Sequence, residues 1–200
     1  ISITAMGELP QSMGLTRAGA RPGDDIWVSG CVGGAWAALM HRWGKLTLDA
    51  RVFPSAALAM DRPNPRNALG TALLSSATAC ADISDGLAQD LGHILERSGV
   101  DADVLWDAVP KHPALAALSQ EQQVEAAMSG GDDYELVFTA PADKRGLIEQ
   151  ASISALTPVT RIGRIIEKKQ SGAPLAIRDA SGRPLFLPVQ GFDHFAQGAD

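Results

Sequence analysis

Apolar positions recur with the helical period most clearly after Asp85. Leu87, Leu91, Ile94 and Leu95 are spaced by four, three and one, and so share one face at 3.6 residues per turn. Gly99, following Arg97 and Ser98, supplies the stop for that helix. Ser119 with Gln122 has the form of a capping box and predicts a second helix through Met128. Residue types predict further helices over residues 35–43, 67–76 and 143–151. Residues 1–9 alternate apolar with small or polar positions, as a half-buried strand does. Ile26-Trp27-Val28-Ser29-Gly30 reads as a short buried strand, because Ile, Trp and Val pack well on a pleated surface, and residues 136–139 as another. Residues 174–177 and 184–187 flank Asp179-Ala180-Ser181-Gly182, a hairpin signal. Proline and glycine punctuate the chain at residues 9–11, 21–25 and 61–66. Strands and helices mix without regular βαβ spacing, which predicts an α+β fold and not a doubly wound parallel sheet.

Composition narrows the class. In 200 residues, 46% are hydrophobic and 20% charged, which is globular and leaves room for one large domain or two small ones. Lys and Arg number 17 against 23 Asp and Glu, a net charge of −6, which argues against a broad nucleic-acid-binding surface. The longest nearly apolar stretch, residues 33–40, is too short to span a bilayer. Two cysteines, Cys31 and Cys80, make no disulfide framework, and no signal or transit pattern opens the chain. A soluble cytoplasmic protein that binds neither nucleic acid nor membrane is expected. The first residue is Ile1, not methionine, which raises the expectation of a fragment of a longer protein.

Two acidic motifs carry candidate chemistry. Asp82-Ile83-Ser84-Asp85-Gly86-Leu87 stands where a strand or loop meets a helix N-terminus. Ser84 or Asp85 could simply cap that helix. Capping leaves the remaining polar groups unexplained, and Asp82 and Asp85 offer hard oxygen ligands of the kind Mg²⁺ prefers. In Ser129-Gly130-Gly131-Asp132-Asp133-Tyr134-Glu135-Leu136, the paired glycines suit a helix-stop turn. Three carboxylates within four residues then precede an apolar strand, and such a cluster calls for a counter-charge. Arg62 and Arg66, in the proline loop, read as solvated, and the four histidines show no zinc-ligand spacing. His93, two positions after Leu91, reads as a flanking or surface residue.

Together with the terminal Gly191-Phe192-Asp193-His194-Phe195, these motifs resemble the thiamine-monophosphate kinase family. The opening Gly7-Glu8-Leu9-Pro10, Leu15-Thr16-Arg17-Ala18-Gly19-Ala20 and Pro22-Gly23-Asp24 are similar to that family's path between its two domains. The resemblance runs in order through the whole chain. It implies the C-terminal domain of the aminoimidazole ribonucleotide synthetase-like superfamily, a layered α/β sandwich with a mixed sheet. Residues 1–17 would be the last strand and linker of a mostly absent N-terminal ATP-binding domain, and residues 18–200 the C-terminal domain.

The implied activity is ATP-dependent phosphorylation of thiamine monophosphate to thiamine diphosphate, with Mg²⁺, by an enzyme dimeric when complete. By the same resemblance Asp82 and Asp85 bind metal, Ser84 binds ATP, and Asp132 and Phe192 contact the thiamine substrate. Many relatives have Glu where this chain has Asp132, and an aspartate where it reads Gly33-Gly34. No residue is implied as a nucleophile. The family's N-terminal acidic motifs are not in this sequence, so the chain alone is expected to be inactive. A related ATP-dependent synthetase and a stand-alone ligand-binding domain are the alternatives.

Overall fold

Asp25–Ser29 forms strand β1, all five residues buried. Ile26 and Val28 face the larger of two hydrophobic clusters and Trp27 faces the smaller, so both sides of this strand are covered. In the computed structural model, which describes Thr4, Met6 and residues 14–185, the other strands are β2 (Ala79–Ile83), β3 (Asp101–Leu105), β4 (Glu135–Ala140), β5 (Val159–Ile166) and β6 (Leu175–Arg178). They form one sheet in the order β2-β4-β1-β5-β3-β6. Every pairing is antiparallel except β3 with β6. The mixed, mostly antiparallel sheet, without regular βαβ alternation, makes the α+β fold that the sequence predicts.

The described residues form six α-helices: α1 (Gly34–Arg42), α2 (Phe53–Asp61), which packs on α1, α3 (Asn67–Leu73), α4 (Leu87–Ser98), α5 (Gln120–Ser129) and α6 (Arg145–Ser154). Residues of α1, α4 and α5 join Ile26, Val28 and Val137 in the larger cluster. The α4 face is as predicted: Leu87, Leu91, Ile94 and Leu95 are all buried, each contributing about 1.5–3 kcal/mol. Gly99 ends α4 in the left-handed conformation. On the other side, Leu69 and Leu73 of α3 and Ile148 of α6 meet Trp27 and Phe138, whose rings stack at 6.4 Å.

The capping box at Ser119 and Gln122 is formed. Residues 179–182 turn as predicted, Arg178 forms a bridge with Pro184, and the rest of the predicted second arm, beyond residue 185, lies outside the described residues. Helix α2 was not predicted. The strand expected over residues 1–9 lies outside the described residues. Helix α4 starts at Leu87, and β2, at the sheet edge, delivers the chain to it. The Cys80 N–H donates to the Thr16 carbonyl at 2.8 Å, which holds residues near 16 along the outer side of β2.

Candidate functional site

The first acidic motif is the turn from β2 into α4. Neither Ser84 nor Asp85 caps the helix. Gly86 occupies the N-cap position without a side-chain bond, and Asp90 reaches back from the first turns of α4. Its Oδ2 accepts from the N–H groups of Ser84 and Asp85, at 2.9 and 3.0 Å. The capping expectation is thus corrected, and the Ser84 and Asp85 side chains are left for other work. Asp85 Oδ2 accepts from Gln89 Nε2 at 3.2 Å. Asp82, in β2, is exposed.

The second motif leaves α5 at Ser129 and locks onto the first. The Asp132 N–H donates to the Ser84 carbonyl at 2.9 Å, and the Tyr134 N–H to the Ile83 carbonyl at 2.8 Å. The β2–β4 ladder continues this contact, pairing Ile83 with Glu135 and Asp82 with Leu136. The approach is close enough that a Cβ on Gly131 would stand 2.8 Å from the Ser84 carbonyl oxygen. Asp132 and Tyr134 both adopt positive φ, 58° and 50°, a conformation that costs a non-glycine residue about 1–3 kcal/mol and clusters at functional sites.

The three carboxylates of this motif have separate partners. Glu135 is buried, accepts from Ser29 Oγ at 2.5 Å, and pairs with Arg66, whose Nε donates to it at 2.7 Å. Arg66 is therefore the counter-charge of Glu135 and not a solvated loop residue. Asp133 turns toward α1 and accepts from the Gly33 N–H at 2.9 Å. Burial pushes its carboxyl up to about 8, against the lowering effect of the Gly33 and Ala35 N–H bonds. Asp132 alone is exposed, and the Tyr134 hydroxyl donates to its Oδ1 at 3.1 Å. That bond and partial burial raise the Tyr134 phenol above its ordinary value, and the charges of Asp132, Asp82 and Asp85 add to the rise.

Asp82, Ser84, Asp85 and Asp132 are thus brought to one end of the β2–β4 pair. Among the described residues, no Lys or Arg forms an ion pair with any of the three aspartates. Unneutralised carboxylate oxygens on one short turn fit Mg²⁺, which takes hard oxygen donors and keeps waters or phosphate oxygens in its other positions. A cavity of about 1060 Å³ opens beside Asp82, with Arg17, Leu15, Pro63, Leu74 and Tyr134 among its walls. Phe192 lies outside the described residues. Sequence reasoning missed Asp90 and the Arg66–Glu135 pair. It also missed that His93 is half-buried, with a donor atom within 4.8 Å of both Asp85 and Asp90.

The family described as AIR synthase related protein, C-terminal domain, matches residues 21–175. The thiamine-monophosphate kinase of Haemophilus influenzae is 39% identical over 201 residues, covering 98% of this chain and 60% of the relative. That of Escherichia coli is 38% identical over 192 residues, covering 95% and 58%. The chain therefore spans about three fifths of the length of these curated relatives. Among solved structures, thiamine-monophosphate kinase from Stenotrophomonas maltophilia superimposes with a TM-score of 0.77 at 40% identity, covering 84% of this chain and 54% of that one. A structure described as AaThiL complexed with AMPPCP and TMP gives 0.71 at 28% identity, covering 90% and 54%. Escherichia coli HypE, a hydrogenase maturation protein, gives 0.61 at 18% identity over 91% of this chain and 55% of that one, a likeness of fold alone.

Proposed function

Because the chain belongs to the family of AIR synthase related proteins, matching its C-terminal domain, we propose that it is the substrate-side part of an enzyme that transfers the γ-phosphoryl group of ATP to thiamine monophosphate. Relatives at 38–39% identity over nearly the whole chain carry the thiamine-monophosphate kinase name, and a similar structure holds AMPPCP and TMP together. One observation of this chain carries the reading. The backbone bonds Asp132 to Ser84 and Tyr134 to Ile83 lock the two acidic motifs into one unit, and among the described residues no Lys or Arg forms an ion pair with Asp82, Asp85 or Asp132.

Phosphoryl transfer asks a protein for positioning and charge neutralisation more than for covalent chemistry. The attacking group here is a phosphate oxygen, so two anions must be brought together. Asp82 and Asp85 would hold Mg²⁺, which would supply the charge neutralisation needed to bring two phosphate groups together. The cavity beside Asp82 is lined by apolar residues together with Arg17 and Arg66, which suits a phosphorylated ligand carrying a ring system, and we assign it to ATP, with Ser84 as a further contact. Asp132, oriented by Tyr134, offers its carboxylate to the cationic thiamine moiety. Phe192, outside the described residues, is the aromatic that the family resemblance assigns to that moiety. No side chain here serves as nucleophile.

The test is ATP-dependent formation of thiamine diphosphate by the complete gene product. Turnover is expected, with Asp82→Asn reducing it at least tenfold and raising the Mg²⁺ concentration needed for half-maximal rate. Absence of thiamine diphosphate overturns the reading, and an unchanged Mg²⁺ titration overturns the role of Asp82.

A further inference from the structure

Helix α3 forms one wall of the cavity beside Asp82. Arg66, Gly70 and Leu74, four residues apart along α3 and its two flanking positions, all line it, as residues at i and i+4 share one helix face. Arg66 reaches Glu135, which pairs with Ile83, the last residue of β2. After Leu74 the chain turns back, the Thr78 N–H donates to the Thr139 carbonyl at 2.8 Å, and β2 begins at Ala79. Across the cavity, helix and strand therefore run in opposite directions. The cavity has a charged end at Arg66 and Asp82 and an apolar end at Leu74. Gly70 stands between them.

A glycine inside a helix is unfavourable unless its backbone or its packing requires it. Neither does here. Gly70 lies within α3 and is not among the glycines with positive φ. Apart from its chain neighbours and its own helix backbone, a Cβ built on it would have one described heavy atom within 4 Å, Leu136 Cδ1 at 4.0 Å. Leu136 lines the same cavity, so a side chain at position 70 would enter the cavity and not the core. Gly92 of α4 and Gly146 of α6 also have open Cβ positions, but neither lines this cavity. At Gly70 alone of the three, the missing side chain leaves bare backbone on a cavity wall, which a flat ring can approach to contact distance.

We propose that Gly70 is the residue that admits the nucleobase: the purine ring lies on the Gly70 backbone, beside Leu136 and towards Leu74, and the triphosphate runs towards Arg66 and Asp82. This rests on the assignment of the cavity to ATP, and adds which end takes which part of the nucleotide and which residue sets the room for the ring. Anionic oxygens belong at the guanidinium end, and the ring at the end where it buries apolar surface.

The experiment measures binding of AMPPCP and of inorganic tripolyphosphate, each with Mg²⁺, to the complete gene product by isothermal titration calorimetry. Gly70→Leu is expected to weaken AMPPCP at least tenfold and to leave tripolyphosphate within twofold, because only the first carries a base. Gly70→Ala should weaken AMPPCP less, while raising the urea midpoint, since alanine is the better helix former and meets no close neighbour. Gly146→Leu should change neither ligand. Equal loss of both ligands in Gly70→Leu overturns the proposal, as does failure of the wild type to bind either one. AMPPCP binding unchanged by Gly70→Leu, in a protein that forms thiamine diphosphate, overturns the base site and leaves the kinase reading standing. AMPPCP binding that depends on Gly70, in a protein that forms no thiamine diphosphate, upholds the base site and overturns the kinase reading alone.

Discussion

Gly131 stands at φ 67°, with the Ser84 carbonyl oxygen 2.8 Å from where a Cβ would be. Alanine there meets both the left-handed backbone and a backbone oxygen that the Asp132 N–H already holds. Gly131→Ala is expected to lower unfolding free energy by about 1–3 kcal/mol in urea denaturation; an unchanged midpoint would show that the two motifs can separate freely. Its neighbour Asp132 is exposed, and its carboxylate accepts from the Tyr134 hydroxyl. Asp132→Ala in the complete protein should therefore raise KM for thiamine monophosphate at least fivefold while moving KM for ATP less, and equal effects would remove Asp132 from the substrate contact. Asp82, Asp85 and Asp132 could be singled out as candidates from the sequence because no apolar pattern explains their carboxylates, and the structure places all three at one end of the β2–β4 pair. Asp90 and His93 could not, because they sit among the periodic leucines of α4 and Asp85 is brought round to them only by the Gly86 turn. Arg66 and Glu135 are 69 positions apart, and no local pattern announces a pair at that distance.

At the scale of elements, α1 depends on a residue from another part of the chain. Its N-cap is Gly33, with no side-chain cap of its own, and the Asp133 carboxylate fills that role from 100 positions away. Burial raises the Asp133 carboxyl from 3.8 to about 8. The folded chain thus keeps a proton that the unfolded chain releases near pH 4. The associated stability is fully present below that pH and is lost progressively as pH rises to about 8. Asp133→Asn keeps an oxygen for the Gly33 N–H and removes the titration. The difference in unfolding free energy, wild type minus variant, should fall between pH 4 and pH 8 and level off above; a flat difference in urea denaturation across that range would refute the assignment. The contrast between helices shows what sequence can carry. Four periodic apolar residues made α4 plain. The nine residues of α2 contain a proline near the start, lack a side-chain cap and bury only Ala56, so neither period nor boundary marked it, and tertiary contact with α1 makes it a helix.

Across the whole molecule, the sheet order could not be read from the sequence because β1, near the start of the described residues, lies between β4 and β5. Its partners are more than 100 positions away, as in Asp25 with Ala140 and Asp25 with Arg164. Strand pairing at that separation is decided by the joint burial of both faces, not by any local signal. Asp25 also ties the layers together. Its carboxylate, wholly buried, accepts from Arg145 Nε of α6 at 2.6 Å and from Arg161 Nη1 of β5 at 3.3 Å. Burial alone would raise the Asp25 carboxyl, but the two guanidiniums more than offset it and hold it below 3.8. Asp25→Asn keeps the shape and removes the charge, so at pH 7 it should lose about 1–3 kcal/mol of stability through the weakened charge-assisted bonds. The sign with pH is opposite to that of Asp133. A lowered carboxyl contributes stability that is present above the unfolded value and lost as pH falls through the folded one. The gap between wild type and Asp25→Asn should therefore narrow as pH falls below about 4, where the wild-type carboxyl also becomes neutral. Urea denaturation of both proteins at pH 7 and pH 2.5 measures that gap. A gap of equal size at the two pH values would mean that Asp25 holds α6 and β5 to β1 by shape and hydrogen bonding alone, without its charge.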